Sequence, residues 1–142
     1  MPHLHVPVPN MRERGPIVHL KVGIGRAAES ALLRTGSAVP TPVDATGLID
    51  TGSARSVLKK GLPSELGLTP VGAVEIDTPS SMDLEVLEYL VQFWFEETLG
   101  LEAKALEAPL PVAGLRVLIG RDILSHGRLI YNGRREEFRL DF

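Results

Sequence analysis

The sequence predicts an all-β domain, and three observations carry that prediction. Eleven prolines and fourteen glycines in 142 residues cut the chain into pieces too short for a helical bundle. Between the breaks lie runs rich in Val, Ile and Leu, at 17–22, 47–49, 84–95, 115–119, 128–131 and 136–142. In the longest of them Leu87, Tyr89, Val91, Phe93 and Phe95 alternate with Glu88, Leu90, Gln92, Trp94 and Glu96. This is the period-two pattern of a strand with one face buried.

Residues 1–15 hold three prolines and no apolar pattern, so they read as an arm or loose tail before a single domain at 16–142. The run 17–22 is the leading strand. Residues 26–34 form the longest helix-compatible stretch and stop at the turn-like Thr35-Gly36-Ser37, after which 35–46 reads as a loop. A short apolar strand at 47–49 then delivers Asp50. Near the end, Asn132-Gly133 separates two apolar runs, and Asn-Gly supplies the positive φ values of a type I′ turn, so a terminal β-hairpin is expected.

Composition excludes several function classes. Fifteen Lys plus Arg against eighteen Asp plus Glu give a formal charge of -3, which argues against nucleic acid as the main partner. With no cysteine, disulfides, thiolate nucleophiles, Fe–S clusters and Cys-based zinc sites are ruled out. No apolar run approaches the roughly 20 residues that span a bilayer, so no membrane association is expected. The first residues lack a basic region followed by an apolar one, which makes the cytoplasm the expected compartment.

The segment 46–58 carries the chemistry. Asp50 ends an apolar strand, and Thr51-Gly52-Ser53 turns the chain sharply. Gly52 is expected to permit a backbone path closed to other residues, while Thr51 and Ser53 hydrogen-bond across the turn and orient the carboxylate. A carboxylate held on a rigid turn is placed for general acid/base work. A plain surface turn is the competing reading, since all four residue types favour turns.

The motif Leu48-Ile49-Asp50-Thr51-Gly52-Ser53 resembles the catalytic loop of the retropepsin-like aspartic peptidases. A second motif, Val117-Leu118-Ile119-Gly120-Arg121-Asp122-Ile123-Leu124, resembles the segment of that family in which a strand ends beneath the loop and a short helix begins. Order and spacing both fit, and the likeness covers about residues 16–142. It implies a retropepsin-like acid-protease barrel with one short helix near the C-terminus, forming half of a two-fold homodimer. Asp50 of each chain would make up the catalytic dyad, with no metal or organic cofactor and with a peptide or protein as substrate. Thr51 and Gly52 would shape the loop and link it across the axis, and Ser53 would hydrogen-bond the outer carboxylate oxygen. Gly120, Arg121 and Asp122 would support the loop from below. A flap is expected in the hairpin 71–88, with Thr78, Pro79, Ser80 and Ser81 near its tip. Two carboxylates at hydrogen-bond distance share one proton, a situation for which aspartic proteases are the standard example.

This chain departs from the viral members at Ala54, where they carry an acidic residue that pairs with the arginine of the second motif. A swapped Arg55–Asp122 pair is therefore expected. The terminal strand ending in Arg139-Leu140-Asp141-Phe142 is a candidate dimer edge. A non-catalytic dimerisation or peptide-binding module on the same fold is the alternative function. An idle pair of desolvated carboxylates would cost stability without benefit, which favours catalysis.

Other signals carry less. Gly23-Ile24-Gly25-Arg26-Ala27-Ala28 matches a dinucleotide fingerprint, yet no second parallel strand follows it. The four histidines lack metal-ligand spacing. Ser53 and Ser56 lack a nucleophile elbow, and Trp94 reads as packing surface rather than a base-stacking platform.

Overall fold

In the computed structural model, which describes residues 2–78 and 81–142, the chain begins with strand β1 (His3–Pro7) and the helical turn α1 (Met11–Arg14). Next come β2 (Ile17–Ile24), α2 (Arg26–Arg34), β3 (Val43–Ile49), β4 (Val57–Lys59) and α3 (Leu62–Glu65). The remainder is β5 (Gly72–Thr78), β6 (Ser81–Glu96), β7 (Leu99–Ala108), β8 (Val117–Ile119), α4 (Arg121–Leu124), β9 (Arg128–Asn132) and β10 (Glu137–Asp141).

Strands β2-β3-β8-β4-β7-β6 lie side by side, and β2 pairs again with β6, so six strands close into a barrel. Closure removes the free edges and encloses Val22, Val91, Phe93, Ala105, Val117 and Ile119 with no exposed surface. The pairs β3–β8 and β4–β7 are parallel, which brings segments far apart in sequence to one end of the barrel. The alternation expected in β6 holds for Tyr89, Val91, Phe93 and Phe95. Leu87 is 39% exposed, because β6 pairs with β7 only from Glu88 onward and continues outward as a hairpin with β5. Among the described residues no helix is long and apolar enough to cross a membrane.

Beneath the barrel, β1, β10 and β9 form a second, three-stranded sheet. Residues 3–7 are therefore no loose tail: they pair antiparallel with β10 from His3↔Asp141 to Pro7↔Glu137. Apolar contact explains this, since Leu4 and Val6 pack on the core and Val8 and Met11 are fully buried. Pro7 is tolerated because an edge strand can do without one N–H. On the outward face, hydrogen bonds from Arg139 and Arg128 hold the Asp141 carboxyl down to about 2.

Three other expectations change in detail. Residues 43–46 belong to β3, because strand pairing with β2 begins directly after Pro42. The terminal hairpin forms, but its loop is the four residues 133–136 and the positive φ falls at Glu136. Asn132 supports that longer loop by accepting a hydrogen bond from the Arg135 N–H at 3.2 Å. Besides the short helix α4, three further helical segments occur among the described residues, of which α2 coincides with the helix-compatible stretch.

Helix α2 also disposes of the dinucleotide fingerprint. Strand β2 before it runs antiparallel to β3, and the helix start already holds an anion: Glu102 accepts from the Arg26 N–H at 2.8 Å. The buried Gln92 ties the helix down, donating to the Ile24 carbonyl at 2.9 Å and to Glu29 at 3.0 Å.

Candidate active site

Strand β3 carries Asp50 out of the barrel at its parallel junction with β8. The Asp50 N–H donates to the Ile119 carbonyl at 2.9 Å, which continues the ladder one residue beyond the strand. The chain then doubles back, and the Gly52 N–H donates to Asp50 Oδ1 at 2.9 Å while the Ser53 N–H reaches the Asp50 carbonyl at 3.3 Å. The carboxylate is thus oriented by its own loop. Asp50 is half-buried, while Thr51 and Gly52 are exposed.

Gly52 does not take the unusual backbone path expected of it. Its φ is not in the left-handed region, but a Cβ at this position would stand 3.1 Å from Asp50 Oδ1. A side chain here would crowd the Asp50 carboxylate, which would have to give by a few tenths of an ångström. Ser53 also differs from expectation. Its hydroxyl donates to the Arg55 carbonyl at 2.6 Å, so its single proton is not available to the Asp50 carboxylate.

The second motif lies under this loop. The Arg121 N–H donates to the Ser53 carbonyl at 2.8 Å, and Arg121 Nη1 donates to the Thr51 carbonyl at 2.7 Å. Gly120 lets the two segments touch: a Cβ there would lie 2.6 Å from the Arg55 carbonyl carbon and oxygen and 2.9 Å from the Ser53 oxygen.

Asp122 does not pair with Arg55. Its carboxylate accepts from the Ser56 N–H at 2.9 Å and from the Ser56 hydroxyl at 2.7 Å, and the Gly120 N–H donates to Ser56 Oγ at 3.0 Å. Ser56 is fully buried and joins both motifs, a role that its sequence neighbourhood does not advertise. Arg55 turns the other way, to Glu88 on β6 and to the Lys104 carbonyl on β7. An ion pair to Glu88 is available because that residue sits at the base of the β5–β6 hairpin, facing Gly72.

That hairpin is the segment expected to act as flap. Its strands pair from Gly72↔Glu88 to Thr78↔Ser81, with a register shift between Ile76 and Thr78. Pro79 and Ser80 lie outside the described residues.

Cavities of about 780, 660 and 350 Å³ open elsewhere on the surface, and Asp50 lines none of them. The largest lies against His19, Lys21, Trp94 and Glu96 on the outside of the barrel. Among the described residues no group of three or more His, Asp or Glu side chains is arranged to hold a metal ion.

No protein-family model matches the sequence, and no curated protein matches it either. Comparison with solved structures does find likeness. The chain is similar to a retropepsin-like aspartic protease from Rickettsia conorii, with a TM-score of 0.59 at 10% identity over 99% of this chain and 91% of that one. At that identity the likeness is one of fold, and the closed barrel with its Asp50 loop is a retropepsin-like fold.

Proposed function

We propose that this protein is an aspartic endopeptidase that works as a homodimer. The observation that carries the reading is the mounting of Asp50: a half-buried carboxylate on a self-bonded turn, floored by Gly120–Asp122, at one end of a retropepsin-like barrel. Asp122 and Ser56 fix the floor, and Arg121 holds the Thr51 carbonyl, so the turn cannot drift relative to β8.

Hydrolysis of a peptide bond in this way needs two carboxyl groups. The ionised one takes a proton from water as the oxygen attacks the carbonyl carbon, while the protonated one gives its proton to the carbonyl oxygen. Collapse of the tetrahedral intermediate returns a proton to the leaving nitrogen. One chain brings one such carboxyl, so the second comes from Asp50 of a second copy across a two-fold axis. The pair titrates as a unit. The β5–β6 hairpin covers an extended peptide, and Arg55 with Glu88 anchors its base to the catalytic loop.

Cleavage of a denatured-proteome peptide library, scanned from about pH 3.5 to 7.5, tests this with Asp50→Asn alongside. The expected result is a bell-shaped rate for the native protein and loss of at least about a thousandfold for the variant. A folded dimer that cleaves nothing would instead favour a peptide-binding module on the same fold.

A further inference from the structure

The chain has one tryptophan, and it sits on the outside of the barrel. Trp94 of β6 stands opposite Lys21 of β2 on one side and Gly100 of β7 on the other. A Cβ at Gly100 would lie 2.6 Å from Cε3 and Cζ3 of the indole, and one at Gly23 would lie 3.3 Å from its Nε1. The ring is thus laid across three strands, and the two glycines are the bed that receives it. Its other side borders the cavity of about 780 Å³.

Charge along that cavity is unbalanced. Lys21 and Asp44 are register partners on β2 and β3, so their charges offset one another. Glu96 and Glu97 are exposed, and among the described residues neither has a cationic partner. His19 faces Thr46 at 3.5 Å. Arg26 reaches Gly100, but its guanidinium donates to Gln92 and to the Gly100 carbonyl and lines no part of the cavity. Among the described residues no cation stacks on the indole.

An indole face with surplus negative charge beside it attracts a cation, and tryptophan is the strongest aromatic partner for one. A guanidinium suits it better than an ammonium, because its plane stacks on the ring while its edge meets a carboxylate. We propose that this cavity binds an arginine side chain of a polypeptide, stacked on Trp94 with its charge shared by Glu96 and Glu97. Free arginine carries a carboxylate of its own, which the same glutamates repel, so the side chain comes from within a chain. Leu20 and Pro42 line the cavity beside the ring and cover the residues next to that arginine. Asp44 precedes Asp50 by about 20 Å of strand, and binding here does not require Asp50 to be catalytic.

Trp94 reports its own occupancy, because no other tryptophan contributes to the emission. The native chain is titrated with a capped Gly-Arg-Gly peptide, with its citrulline counterpart and with free arginine. Citrulline keeps the shape of arginine and loses the charge. A saturable change in emission is expected for the arginine peptide, with the other two at least about tenfold weaker. Glu96→Gln combined with Glu97→Gln is expected to weaken that peptide about fivefold, and Lys21→Ala to tighten it about twofold. All three positions are exposed, so the variants are expected to unfold at the native temperature. An equal response to citrulline, no saturable response to any probe, or a response indifferent to these substitutions overturns the site. Free arginine that binds as tightly as the peptide overturns the polypeptide source. Asp50→Asn is expected to bind the peptide as the native chain does, whatever its effect on cleavage. Loss of binding in that variant would place the peptide at Asp50 and overturn the site.

Discussion

The floor beneath Asp50 and the outward face of the β1–β10–β9 sheet are built from the same residue types and behave as opposites. In the floor, Asp122 and Arg121 bond to backbone groups and a buried hydroxyl: the Ser56 N–H, the Ser56 Oγ and the Thr51 carbonyl. On the sheet, Asp141 bonds to two guanidinium groups, Arg128 and Arg139, whose side chains are about half exposed or more. A side chain that grips backbone dictates where the chain runs, and removing it strands a buried donor. Asp141 is itself covered, but its guanidinium partners reach it from solvent, so these bonds hold side chains to one another rather than the path of the chain. The geometry of the candidate site therefore resides in the first kind of bond, and the terminal sheet takes its stability from Val8, Met11, Phe138 and Leu140 instead.

Substitutions can break that contrast in order of severity. Gly120→Ala forces a methyl against the Arg55 and Ser53 carbonyls, which are backbone and cannot swing aside. A loss of about 3 kcal/mol is expected, or roughly 10 °C in thermal unfolding, with peptide cleavage abolished. An unchanged unfolding temperature would show that the two segments can part. Asp122→Ala comes next, because it leaves the Ser56 N–H and hydroxyl buried without an acceptor. Urea denaturation should register about 2 kcal/mol, and Asp122→Asn clearly less, since one acceptor oxygen survives.

Arg121→Ala sharpens the comparison, since its side chain bonds the loop from an exposed position. Cleavage is expected to fall about tenfold, while stability moves by no more than about 0.5 kcal/mol. Equal losses in both would mean that Arg121 supports the fold rather than the loop.

The smallest effect lies on the sheet. The folded Asp141 carboxyl, at about 2, sits below the ordinary value of 3.8, so its pairing stabilises the protein above that ordinary value. This contribution is lost as pH falls from 3.8 through 2. In Asp141→Asn the acid limb of stability against pH should be shallower and less sensitive to salt. A limb of unchanged slope would place the acid sensitivity elsewhere.

How much of this was legible in the sequence follows the range of each interaction. The Asp50 turn and the Gly120–Asp122 segment are local motifs, readable from a few adjacent residues. The partners of those residues are not. Ser56 meets Asp122 across 66 positions, and Arg55 finds Glu88 rather than Asp122 because the barrel, not the neighbouring sequence, decides what faces it. Strand β7 lies in none of the apolar runs, since Leu101-Glu102-Ala103-Lys104-Ala105-Leu106-Glu107-Ala108 has the composition of a helix. Pairing with β6 through the two-residue turn Glu97–Thr98 overrides that preference, and the barrel could not close without it. The arm at 3–7 was hidden by its prolines, which signal a break only where an N–H is needed.

The parallel pairing of β3 with β8 also sets a clock. Gly47 must find Val117, and His3 must find Asp141, before either sheet is complete, so little of the fold can form from neighbouring segments alone. Chains dominated by such distant pairings fold slowly, in about milliseconds to seconds, with loop closure preceding any reward in contacts. The turn at Asp50 can begin to bend early, but its floor arrives only when the 117–122 segment docks. A chain caught before that moment carries the motif without the geometry, which delays any activity until the long-range closure is done.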